Sequence, residues 1–185
     1  MKRAALCAAV ATLALISACS TPAPRYQPSI ENVESLKRSS GPVTVGVFAV
    51  KPGMLNANAV GLRAASMVSS VGADYAAYLG DAIRQELELA GKLSPKSHIE
   101  VSGVLTRNEI NAGGMSTNDG ALEALFTVKK EGVVRYSKSK RADASWESSF
   151  VGAIAIPKAQ QQYPLLVQSL LGQLIGDAEF QAAVK

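Results

Sequence analysis

The segment Asp74–Leu89 constrains the fold most. Tyr75, Leu79, Ile83 and Leu87 recur every fourth residue, with Ala82, Glu86 and Ala90 beside them. That spacing lines one face of an α-helix. Asp74 is placed to cap its start and Gly91 its end. Arg84, Gln85 and Glu88 are expected on the wet side. Alternating segments flank this helix. Pro42–Val50 repeats valine at every second position until Lys51-Pro52-Gly53 stops it. His98–Thr106 puts Ile99, Val101, Gly103 and Leu105 on one side, the period of a strand. Leu122, Ala124, Phe126 and Val128 line a third strand, which turns at Lys130-Glu131-Gly132 into Val134 and Tyr136. Ala142–Val151, with Trp146 and Phe150, continues the meander. Links this short exclude a crossover, so these later strands are antiparallel. Tyr163, Val167, Leu170, Leu171 and Leu174 mark a C-terminal helix, with Pro164 expected in its first turn. Gly176-Asp177 ends it, and Asp177 caps a last short turn holding Phe180. The order predicts an α+β domain. A mostly antiparallel sheet of four to five strands packs two main helices on one face.

The N-terminus carries a different signal. Met1-Lys2-Arg3 is a short positive stretch, and Ala4–Ile16 is apolar and uncharged. A run of this length falls short of the about 20 apolar residues of a spanning helix and suits an export signal. Ile16-Ser17-Ala18-Cys19 resembles the bacterial lipobox. The resemblance implies cleavage after Ala18 and a diacylglyceryl thioether on Cys19. Ser20 stands where an aspartate would imply inner-membrane retention, which favours the outer membrane. The boundaries expected are a signal at 1–18, a lipidated cysteine and flexible tether at 19–41, and a periplasmic domain at 42–185. The tether reading rests on Pro22, Pro24, Pro28 and the serines around them.

Charge and chemistry narrow the function. Removing residues 1–18 takes Lys2 and Arg3 and no acid, leaving 17 basic against 15 acidic side chains. No basic stripe with interleaved aromatics remains, so no nucleic-acid partner is expected. Lys138, Lys140 and Arg141 read as a solvated strand end. Cys7 lies in the signal, so the mature domain has no cysteine for a disulfide and relies on packing. The single histidine, His98, lies at a strand start, and no motif nominates a serine nucleophile to pair with it. Gly113-Gly114-Met115-Ser116 lacks the remainder of a phosphate loop. Glu109, Asp119 and Glu123 lack the spacing of a calcium loop. On a strand, Asp143 and Glu147 stand about 13 Å apart, too far for paired glycosidase carboxylates. No catalytic residue, metal or cofactor is expected.

Two regions attract a binding role. Arg107–Gly120 reads as a long mobile loop whose Asn111, Asn118 and Asp119 offer hydrogen bonds to a partner. Trp146 reads first as core bulk and second as a partner anchor. Met54–Gly72, rich in small residues, reads as a loop with a short helix.

Tyr78–Leu87 leading into Ile99–Leu105, with the closing helical region Leu165–Phe180, resembles the compact domain of several envelope lipoproteins. These are the curli-secretion lipoprotein, the lipoprotein activators of penicillin-binding proteins, and the N-terminal domain of the Tol-system propeller protein. The layout is also similar to the auxiliary lipoproteins of lipid-transport ABC systems. Either resemblance implies a non-enzymatic protein tied to the membrane by its lipid and working with an envelope partner. Homo-oligomerisation stays open.

Overall fold

The computed structural model describes residues 20–185. The signal reading, Ala18 and Cys19 lie outside the described residues. The elements in order are β1 (Ser20–Pro22), α1 (Ile30–Ser39), β2 (Thr44–Val50), β3 (Ala59–Leu62), β4 (Ala65–Val68) and α2 (Tyr75–Leu89). Then come β5 (Ile99–Asn111), β6 (Thr117–Lys130), β7 (Val133–Glu147), α3 (Gly152–Ile175) and α4 (Ala178–Ala183). The class is α+β.

The main sheet has four strands in the order β2-β5-β6-β7. The meander β5-β6-β7 is antiparallel, whereas β2 runs parallel to β5. The sheet is therefore mixed, because the chain between β2 and β5 is long enough to cross over through α2. Glu131 (φ 54°) and Gly132 (φ 78°) make the tight turn between β6 and β7. Both φ values are positive, as a two-residue hairpin turn requires.

One face of this sheet is the core face. Val101, Leu105, Leu122, Ala124, Phe126, Val128 and Tyr136 point there and are buried. A register shift between Val45 and Phe48 interrupts the valine alternation of β2. It turns Val47 outward, 77% exposed, and Phe48 inward. A one-residue slip exchanges the faces of every later side chain. A β-carbon on Gly103 would stand 2.5 Å from the Phe48 ring, and one on Gly80 of α2 3.1 Å away. These two glycines make the slot that lets α2 lie close over β2 and β5.

α3 covers β6 and β7 on the same face, burying Leu166, Val167, Leu170, Leu171 and Leu174. It begins at Gly152, so Pro157 and Pro164 both lie inside it. The expectation that Pro164 opens the helix is corrected. Each proline removes one ladder bond, and the nine buried residues of α3 outweigh that loss. Asp74 caps α2 by accepting from the Ala77 N–H at 2.9 Å. Asp177 caps α4 by accepting from the Glu179 N–H at 2.8 Å.

Three further expectations are corrected. Met54–Gly72 holds a hairpin, β3-β4, in place of a helix. Val60, Leu62 and Met67 supply its buried face. β1 adds to it in parallel, making a second sheet in the order β1-β4-β3. Arg107–Gly120 is mostly strand. β5 continues to Asn111 and β6 starts at Thr117, with Asn111 paired to Asp119. Residues 20–41 are part of the fold. Ala23, Tyr26, Val33 and Leu36 are buried, and α1 lies across α2 and α3. A tether cannot bury that much apolar surface; this segment does, so it folds.

Four tyrosines join the layers. The Tyr163 ring lies tilted against Tyr75 at 4.7 Å and edge-on to Tyr78 at 5.4 Å between ring centres. Tyr26 meets Tyr78 edge-on at 6.5 Å. Their hydroxyls reach the surrounding segments. Tyr75 donates to the Met67 carbonyl, Tyr78 to the Pro24 carbonyl and Tyr163 to Asn108 Oδ1. Burial raises the pKa of all four phenols well above the ordinary tyrosine value.

Candidate functional site at an arginine-clamped pole

Three chain segments meet where β5 ends and β6 begins: the β5-β6 connection, the β7-α3 connection and the β3-β4 turn. Arg63, in that turn with φ 57°, binds the other two. Its Nε donates to the Ala112 carbonyl at 2.8 Å. Nη1 donates to the Phe150 carbonyl at 3.0 Å. Nη2 reaches the Gly114 carbonyl at 2.8 Å, the Ser149 carbonyl at 2.7 Å and Ser148 Oγ at 3.2 Å. A planar guanidinium fork can hold several carbonyls at fixed angles, which an ammonium cannot. The Ser148 N–H adds a bond to the Ser116 carbonyl at 2.8 Å.

The residues singled out from the sequence gather beside this clamp. Asn118 lies opposite Trp146 in the β6-β7 register. Asn118 is 1% exposed, and its Oδ1 accepts from the Gly114 N–H at 3.0 Å. A β-carbon on Gly114 would stand 1.8 Å from the Thr117 carbonyl oxygen, so only glycine fits this turn. Asn111 Nδ2 donates to Asp119 Oδ1 at 3.3 Å on the exposed side. Trp146 is 7% exposed and belongs to the core. It is therefore packing bulk rather than an exposed partner anchor. Trp146 Nε1 and Asn118 Nδ2 are buried without a hydrogen-bond acceptor. Asn111, Asn118 and Asp119 were expected on a mobile loop; they sit on paired strands.

The charged groups weighed in the sequence are engaged elsewhere. Lys138 pairs with Glu179 at 2.6 Å and Lys140 with Asp177 at 2.5 Å, so this basic cluster ties α4 to β7. Arg141 pairs with Asp143 at 2.6 Å and holds its carboxyl below the usual range. Arg107 pairs with Glu109 at 2.6 Å. Among the described residues, no three His, Cys, Asp or Glu side chains stand close enough to hold a metal ion. Arg63 and the exposed apolar residues Met115, Phe150, Val151 and Ile154 near it were not found by sequence reasoning. The uncharged run Ser148–Pro157 was the available signal.

The α+β fold recurs in solved structures. XCC0632 from Xanthomonas campestris, of the family DUF330, matches with a TM-score of 0.53 at 14% identity, over 84% of this chain and 94% of its own. CT253 from Chlamydia trachomatis gives 0.49 at 12% identity, over 79% and 99%. A minor lipoprotein from Acinetobacter baumannii gives 0.41 at 11%, over 77% and 92%. At 14% identity the Xanthomonas match shows a likeness of fold alone. No family model matches the chain, and no curated protein matches it.

Proposed function

We propose that this chain is an outer-membrane lipoprotein whose domain faces the periplasm and serves, without catalysis, as an accessory of a cell-envelope protein complex. One observation carries the reading. The lipobox-like Ile16-Ser17-Ala18-Cys19 stands immediately before Ser20, the first described residue, which opens β1. A signal, a lipidation site and a compact domain follow one another without a gap. The resemblance of Tyr78–Leu87 and Leu165–Phe180 to envelope lipoproteins supports the accessory role. Among the described residues, no helix is long and apolar enough to cross a membrane, so the attachment assigned here is the lipid on Cys19. Two or three acyl chains hold a protein far more firmly than the single chain that binds only reversibly.

Cys19→Ser tests the anchor. Cells fed a fatty-acid analogue should label the native protein and not the variant, and the variant should leave the membrane fraction or stay uncleaved. Equal label on both removes Cys19 as the modified residue. The alternative partner class is an ABC-type lipid-transport system, and a transporter operon around the gene would favour it.

A further inference from the structure

We propose that the pole held by Arg63 is a membrane seat, and that its occupant is the lipid leaflet carrying the Cys19 acyl chains. The inference rests on the lipoprotein reading and adds an orientation to it. Met115 is 73% exposed, Phe150 78%, Val151 52% and Ile154 58%. Arg63 brings them to one tip, through the Gly114 carbonyl next to Met115 and through the Phe150 carbonyl itself. Val151 caps α3 and Ile154 lies in its first turn, with the Ile154 N–H on the Val151 carbonyl at 3.0 Å.

The two runs that form the tip carry no charge of their own. No Asp, Glu, Lys or Arg occurs from Ala112 to Asn118 or from Ser148 to Pro157, and the charges that border them, Glu147 and Lys158, face each other at 3.7 Å. The Arg63 guanidinium is turned onto five protein acceptors. The opposite pole differs. There Val133 and Val134, each 53% exposed, are hemmed by Lys129, Lys130, Glu131 and Arg135. Exposed apolar side chains grouped without charge mark a contact with another apolar phase.

The chain's own anchor says which phase. Ser20 pairs with Ser66, three residues beyond Arg63, and β1 runs parallel to β4, away from the Arg63-Ala64 turn. Ser20 is thus the end of β1 nearest the tip. Gln160 donates to Thr21 Oγ1 from α3, six residues beyond Ile154. Six helical residues span about 9 Å. Cys19 directly precedes Ser20 in the chain. The span from the tip to Thr21 is small beside the roughly 30 Å hydrocarbon core. A lipid on Cys19 would draw Met115, Phe150, Val151 and Ile154 against the surface that receives the acyl chains. No slack intervenes, because β1 is hydrogen-bonded into its sheet.

The test uses the full-length protein, purified from membranes and reconstituted into phosphatidylethanolamine–phosphatidylglycerol vesicles. Phe150→Cys and Lys96→Cys each receive an environment-sensitive fluorophore, Lys96 being at the opposite pole. Ile154→Cys serves as a second tip position should Phe150→Cys fold poorly. The tip label should show blue-shifted emission and quenching by spin-labelled lipid, and the Lys96 label neither. Equal, water-like emission from both poles on a protein whose intact mass includes the Cys19 lipid overturns the seat and leaves the anchor standing. A mass without the Cys19 lipid overturns the anchor, and with it the leaflet named as the occupant of the seat.

Discussion

Arg63 does more than any other single side chain to shape the pole, and its effect is testable. Removing it strips five acceptors in two connections at once. Hydrogen bonds to a charged donor contribute about 1.5–3 kcal/mol each when desolvated and less in water. For this partly exposed fork a net loss of about 2 kcal/mol is expected for Arg63→Ala. In a domain of this size that is a fall in melting temperature of about 4–8 °C. Arg63→Lys should recover little, since one ammonium cannot span the fork. Hydrogen exchange should quicken at the amides of Gly114 and Ser148 and leave α2 unchanged. An unshifted melt with unchanged exchange would show that the connections hold themselves. Little of this was legible beforehand. Arg63 follows Gly61-Leu62 with no turn pair to announce the hairpin. Asn108 and Asn118 hid the strands they belong to, because a buried polar residue breaks the apolar alternation. Asn108 stays inside by donating to the Asn56 carbonyl at 2.8 Å and accepting from the Tyr163 hydroxyl at 3.0 Å.

Elements that carry a strong period and a cap read correctly. α2 and its Asp74 cap followed from fourfold spacing, and the β6-β7 hairpin from Lys130-Glu131-Gly132. α4 is the instructive small case. Asp177 was legible as its cap; the contacts from β7 were not, being 37 and 41 residues distant in sequence. Asp177 accepts from Lys140 Nζ at 2.5 Å, from the Glu179 N–H at 2.8 Å and from the Tyr136 hydroxyl at 3.1 Å. The Lys140 bond foremost, with the Glu179 amide and the Tyr136 hydroxyl, holds this carboxyl well below the usual carboxylate range. A depressed carboxyl binds its proton in the folded state only at still lower pH. Its contribution therefore stands above the unfolded value of about 3.9 and is lost as pH falls through the lower folded value. Asp177→Asn keeps a good cap and discards the charge. It should cost roughly 1 kcal/mol at neutral pH, after allowance for solvent screening. The gap in melting temperature between native and Asp177→Asn proteins should narrow between pH 7 and pH 3. A gap that stays constant would mean that the hydrogen bonds matter and the charge does not.

At the scale of the whole molecule the question is where the domain begins. Prolines and serines make residues 20–41 look like a spacer, yet polar contacts bind this segment to four other parts of the chain. The Glu86 carboxylate, 0% exposed on α2, accepts from the Tyr26 hydroxyl at 2.5 Å, the Ser29 N–H at 2.9 Å and Asn32 Nδ2 at 3.3 Å. Asn32 also donates to the Gln168 carbonyl of α3 at 3.1 Å. The Ala23 N–H reaches the Val68 carbonyl of β4, and the Gly41 N–H the Val184 carbonyl near the C-terminus. Composition alone could not reveal this, because the partners of Tyr26 lie 52 and 60 residues away at Tyr78 and Glu86. A fragment 42–185, which the sequence alone marks as the complete domain, would bare α2 and α3 and leave Glu86 without a donor. Losing the burial of Tyr26, Val33 and Leu36 costs about 1.5–3 kcal/mol each. An unpaired buried carboxylate adds to that. The total rivals the about 5–15 kcal/mol by which domains are stable. Residues 20–185 should therefore melt in one cooperative transition, and 42–185 should show a broad one or none. Supplying residues 20–41 as a separate peptide should restore part of the transition, since the contacts are non-covalent. If 42–185 instead melts cooperatively within a few degrees of 20–185, the segment is an appendage. If it does not, residues 20–41 belong to the core, and a lipid on Cys19, as proposed, would be tied to the fold without a spacer.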